Sequence, residues 1–97
     1  MTLGVAGNET ATGTLASSTQ SAVVGPAKRV DVSLSGTWAG TVALQRKIAG
    51  NWFTMESYTE NSDVVVDVAA RLGCLVRLDF TRNSGSLVYV LEAGGHV

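Results

Sequence analysis

The chain has 97 residues, a formal net charge of −1, 15% charged side chains and 45% hydrophobic ones. That is room for one small domain with its own core, too apolar for global disorder and too weakly charged to offer a basic field to nucleic acid or a cationic face to a membrane. A single cysteine, Cys74, leaves no partner for an intrachain disulfide, and its setting in GCLVRLDF points to a buried free thiol on an apolar strand face.

In chain order, residues 1–27 come first and are almost wholly Gly, Ala, Thr, Ser and Val. Side chains that small bury little area, so the segment 1–25 is expected to be an extended N-terminal arm or a set of thin edge strands, with TATGTL and QSAVV as weak strand candidates. It has neither a basic n-region nor a continuous apolar stretch, so no secretory leader is expected and synthesis in a cytoplasm is. Gly25-Pro26 marks the joint to a β domain over residues 26–97.

From Lys28 onward apolar and polar residues alternate. RVDVSLS sets Val30, Val32 and Leu34 on one face, and TVALQR adds Val42 and Leu44. Between them SGTWAG predicts a loop at Trp38, a hairpin pairing Leu34 with Val42 and Val32 with Leu44, and an indole folded over the open end of the core. IAGNW predicts a tight hairpin. In NWFTMESY strict alternation puts Trp52, Thr54, Glu56 and Tyr58 on one face and Phe53, Met55 and Ser57 on the other. DVVVDV, CLVRLDF and SLVYVLE complete the set, with TRNSGS as a further hairpin candidate and DVAARLG as one helical turn at most.

Roughly eight short antiparallel strands without covering helices predict an all-β fold, two sheets packed face to face as an Ig-like or jelly-roll-like sandwich. Trp38, Trp52, Leu34 and Val42 are the expected structural core.

The inventory for chemistry is thin. His96, the only histidine, lies next to the last residue. No His, Cys or carboxylate set has metal-ligand spacing, and Asp63 and Asp67, four apart on a strand, are too distant for a glycosidase pair. GNETATG lacks the lysine of a phosphate loop. No enzyme, metal or cofactor is expected. Trp38, Trp52, Phe53 and Tyr58 leave a glycan-binding module as an alternative.

The run VSLSGTWAGTVALQRKIAGNWFTMESYTEN followed by GCLVRLDFTRNSGSLVYVLE resembles a group of small β-rich bacteriophage virion proteins. In that group a Ser-Gly-Thr-aromatic-x-Gly-Thr-Val segment leads into Leu-Gln-Arg, then a turn with a Trp, an Arg-bearing strand and SGS before a last aliphatic strand. Ser35 to Val42, Leu44 to Arg46, Gly50 to Trp52, Arg77 and Ser84 to Val90 carry the match. The resemblance implies a non-enzymatic virion structural protein. The expectation is a capsid decoration (cement) protein on the head surface, bound to the major capsid protein and assembled as a homo-oligomer, a trimer by analogy. A tail, fibre or neck component is the alternative within that class. On this reading the arm docks on neighbouring subunits through Val5, Leu15 and Val23, reaching roughly 80 Å when extended, and its removal leaves the β domain folded.

Overall fold

The computed structural model describes residues 10–68 and 73–94. They form seven strands: β1 (Thr10–Leu15), β2 (Thr19–Gln20), β3 (Val24–Ala27), β4 (Arg29–Ile48), β5 (Asn51–Tyr58), β6 (Ser62–Asp67) and β7 (Cys74–Gly94). All pairings are antiparallel and belong to one hydrogen-bonded sheet. The separation into two hydrogen-bonded sheets expected from the strand count is therefore not what forms.

Its spine is the pair of long strands β4 and β7, matched from Arg29 opposite Gly94 to Arg46 opposite Val76. A straight strand of the 21 residues in β7 would span about 70 Å. The longest dimension of the molecule is 41 Å, so the strand pair has to fold back. It does so midway, where Trp38 lies opposite Gly85. On the β4 side, β6 follows Arg29–Leu34 and β5 follows Val42–Ile48. On the β7 side, β1 follows Leu87–Glu92, and β2 and β3 follow the Cys74–Phe80 half. The product is a four-stranded-wide sheet bent in two with its apolar face inward.

The crossing at the bend is made possible by glycine. A Cβ on Gly85 would lie 2.1 Å from the Thr37 carbonyl oxygen, and φ there is +77°. A Cβ on Gly40 would meet the Thr81 carbonyl oxygen at the same distance, at φ +144°. No larger residue permits backbones that close. The Arg82 guanidinium Nε donates to the Gly85 carbonyl at 2.7 Å, and the Arg82 amide donates to Ser18 Oγ at 2.9 Å, fixing the corner.

This corrects the hairpin expected at Trp38. β4 does not turn back; Leu34 lies opposite Tyr89 and Ser62, and Val42 opposite Phe80 and Tyr58. TRNSGS is likewise a bend inside β7 rather than a hairpin. Asn83 is an extra residue there, because Ala39 opposes Ser84 while Gly40 opposes Arg82. The bulge explains why the inward positions of β7 change from even (Val76, Leu78, Phe80) to odd (Leu87, Tyr89, Leu91). IAGNW is a tight hairpin, with Ile48 opposite Asn51 and positive φ at both Ala49 (53°) and Gly50 (83°), the backbone of a type I′ turn.

One buried cluster joins the two halves of the bent sheet. It runs through Val30, Val32, Leu34, Val42, Leu44, Val76, Leu78, Phe80, Leu87 and Leu91, with exposures of 2% or less. Each fully buried aliphatic or aromatic side chain there contributes about 1.5–3 kcal/mol. At the open end, opposite the bend, backbone bonds extend the ladders of the β6-bearing half past Arg29, from Lys28 N–H to Gly94 O and from Val68 N–H to Lys28 O. The Arg46 guanidinium adds a bond to the Val68 carbonyl.

Residues 10–27 are edge strands, not a free arm. Ala11 and Val24 are buried, and Leu15 packs against the core. Small side chains suffice because β1 contributes mainly its ladder to β7, and Ser21, 7% exposed, exchanges bonds with Leu78: Ser21 N–H to Leu78 O and Leu78 N–H to Ser21 Oγ. The candidate helical turn falls largely at 69–72, outside the described residues. Among the described residues no helix is long and apolar enough to cross a membrane.

Candidate interaction surface

Folding a sheet in two leaves two lateral seams, one along each pair of edge strands. Along β1, β2 and β3 the seam is filled by Ser21, Val24 and Leu15, and the Tyr89 hydroxyl accepts from the Ala22 amide at 3.4 Å. Along β5 and β6 it stays open as a groove lined by Glu56, Tyr58 and the consecutive residues Val64 to Asp67. Glu56 lies opposite Leu44, Tyr58 opposite Val42, Val64 opposite Val32 and Val66 opposite Val30, so all four project on the core side of the sheet. Tyr58, Val64 and Val66 pack on the core cluster yet remain half-buried. Apolar side chains that pack on the core thus reach the surface along this seam, beside two strands that among the described residues pair with β4 alone.

The electrostatics of the seam are one-sided. Residues 51–67 carry Glu56, Glu60, Asp63 and Asp67 and no Lys or Arg, whereas residues 10–27 carry no charge at all. Burial, reinforced by the nearby Glu56 carboxylate, holds the Tyr58 phenol above its ordinary range. The phenol is therefore a neutral hydrogen-bond donor throughout the neutral range.

Trp38 is half-buried at the bend, edge-on to Phe80 with ring centres 5.7 Å apart. Its Nε1–H donates to Asn61 Oδ1 at 2.7 Å, and Asn61 Nδ2 donates to the Gly36 carbonyl at 3.2 Å. Asn61 thereby ties the β5–β6 loop to the corner of β4. Leu34 and Val42 lie in the core.

Trp52 does not, contrary to the sequence expectation. Leu44 opposes Glu56 but Gln45 opposes Thr54, so Met55 is an extra residue and the faces exchange along β5. Met55 packs on the core while Trp52 turns outward opposite Lys47. There the Arg77 guanidinium sits over the indole at 4.3 Å and the Lys47 ammonium at 5.9 Å. Arg77 Nε also donates to Gln45 Oε1 at 2.9 Å. Both indoles are thus engaged by the protein's own groups.

Of the expected docking residues, Val5 lies outside the described residues. Leu15 faces inward opposite Leu87, and Val23 is 43% exposed between β2 and β3. The structure does not bring Leu15 and Val23 to a common outward face. Cys74 is a half-buried free thiol against the core. Among the described residues no group of three or more His, Cys, Asp or Glu is placed to hold a metal ion; His96 lies outside them. Of the seam residues the sequence reading named Tyr58 alone, among the aromatics of the glycan-binding alternative; Glu56, Val64 and Val66 were not site candidates. The run of four carboxylates without a cation over residues 51–67 was the available signal. The chain matches no protein-family model, and neither a curated protein nor a solved structure is significantly similar to it.

Proposed function

We propose that this chain is a non-enzymatic structural protein of a bacteriophage virion, a capsid decoration protein that stabilises the head by binding the major capsid protein. The reading starts from the resemblance carried by Ser35 to Val42, Leu44 to Arg46 and Ser84 to Val90. The observation that supports it best is the open seam of β5 and β6, where core-side apolar side chains and unpaired strand edges meet the surface of a body otherwise tied together by long strands. A surface of that kind suits burial against a protein partner. In function we read the bent sheet as a two-layer sandwich, a stiff brace laid across subunit joints, and expect a cyclic homotrimer at a symmetric lattice position. Docking through a free arm gives way to docking through the seam, because β1, β2 and β3 are paired along β7.

The test is the composition of purified virions by quantitative mass spectrometry, with localisation by cryo-electron microscopy. Hundreds of copies on the head surface are the expected result. A handful of copies at the neck or tail, or none, overturns it.

A further inference from the structure

Bending the sheet in two leaves two outer faces, and charge is divided between them. On the half built from β1, β7, β4 and β6 the outward positions include Asp31, Asp63 and Glu92, all exposed. Asp31 lies directly opposite Glu92, and like charges side by side in a ladder repel. Glu92 accepts a long bond from the Thr10 hydroxyl at 3.4 Å, and among the described residues no cation pairs with any of the three. Asp67 is set apart from them, because it has an interaction of its own and Arg29 stands opposite it on the same face. Val65, Val88 and Val90 share this face, 65%, 38% and 38% exposed.

The half built from β2, β7, β4 and β5 is the converse. Its outer face gathers Arg77 and Lys47 around the Trp52 indole, at 4.3 and 5.9 Å from the ring centre. Stacking occupies the flat side of the guanidinium and leaves its in-plane donors available. Nε is taken by Gln45, and the two terminal nitrogens carry no bond to a described residue. Among the described residues the carboxylate of this face is Asp79, which accepts from Gln20 Nε2 at 3.0 Å on the β2 side, away from Trp52.

We propose that copies of this chain associate face to face, the acidic, valine-bearing face of one copy on the Trp52 face of the next. Arg77 and Lys47 of one copy meet the Asp31–Glu92 pair of its neighbour, which relieves the repulsion on both sides and covers the valines. Charge selects a second copy as the occupant: each face repels its own kind and attracts the other. The contact is heterologous, the type from which cyclic oligomers are built. It is also small. The acidic face is four strands wide and six ladder positions long, roughly 400 Å² of sheet and about half of one partner's share in a standard interface. Association in solution is therefore weak, and its place in a particle rests on the assembly reading above, where neighbours are held at high local concentration.

The test follows the full-length protein through a dilution series by amide-resolved NMR and sedimentation velocity. At about 1 mM, shifts relative to dilute protein are expected on both faces, at residues 31, 63–65 and 88–92 and at 45–47, 52–54 and 75–77. The mean mass should rise with concentration and fall back in molar salt. The exposed substitutions Asp31→Lys and Lys47→Glu should each weaken self-association by about tenfold. Mixing the two variants should restore it, since each then offers the other an intact face, and restoration also shows that both are folded. A spectrum and mass that do not change up to millimolar protein overturn the proposal. So do shifts confined to one face or to the edge of β6, association indifferent to salt, and variants that stay apart when mixed. If the copies associate in this way but virions lack the protein, the contact stands and the virion reading falls. If heads carry the protein but the mixed variants stay apart, the reverse holds.

Discussion

Alanine at Gly85 and alanine at Gly50 isolate what holds the bend. Both glycines have similar positive φ, +77° and +83°, so both substitutions carry the same backbone strain. A left-handed conformation costs a non-glycine residue about 1–2 kcal/mol, and the lost flexibility of the unfolded chain returns about 0.4–1 kcal/mol. Gly50→Ala should therefore destabilise by about 1 kcal/mol, since its Cβ would meet nothing within 4 Å. At Gly85 the Cβ would lie 2.1 Å from the Thr37 oxygen and 2.8 Å from the Trp38 Cα, both backbone atoms. Relief requires parting β4 from β7 at the corner, and overpacking of this kind costs about 3 kcal/mol more. Urea unfolding followed by tryptophan fluorescence is the assay. A difference of about 3 kcal/mol between the two variants is expected, which for a domain this size separates the melting temperatures by about 15 °C. Equal losses would refute the close crossing of the strands at Trp38 and Gly85.

Four further outcomes follow from the same structure. Removing residues 1–20 takes away β1 and β2 and uncovers the edge of β7; six ladder positions at about 1 kcal/mol each approach the total stability of a small domain, so the truncated chain should lose its cooperative thermal transition. Ala49→Gly, which relieves a residue at φ +53°, should stabilise by about 1 kcal/mol, read as a rise of a few degrees in melting temperature. Asn61→Ala deletes the acceptor of the Trp38 indole and should cost about 1–2 kcal/mol with a red shift in tryptophan emission. The folded-state Tyr58 phenol titrates above its unfolded value of 10.0. Its contribution to stability is therefore full below pH 10 and lost as pH rises through the folded value. Tyr58→Phe should flatten the fall of melting temperature above pH 10, and the alkaline absorbance change lost in that variant should be a late-titrating one.

Much of the fold was legible because the period-two signal is strong where β-branched residues line a core. Val30, Val32, Leu34, Val42 and Leu44 share one parity across Trp38, and an unbroken strand is the simplest source of that. The two glycines beside Trp38 invited a hairpin instead, because local sequence does not distinguish a chain that reverses from one that bends against a partner 47 positions away, as Trp38 does against Gly85. In β7 the change from Phe80 to Leu87 carried the bulge in plain view as a switch of parity. In β5 no such mark exists: Met55 and Trp52 are both apolar, so the residue that exchanges the faces leaves the pattern readable either way. The seam was illegible for a different reason. Which edge stays open depends on how Ser21 and Val24 fill the opposite one, and that is settled only by the folded arrangement.

The direct test of the central claim is the pattern of interstrand Hα and amide NOEs across the middle of β4. A ladder running from Arg29–Gly94 through Trp38–Gly85 to Arg46–Val76, with a one-residue register shift at the Asn83 bulge, is the expected result. Contacts joining Leu34 to Val42 and Val32 to Leu44, the signature of a hairpin at Trp38, would contradict it.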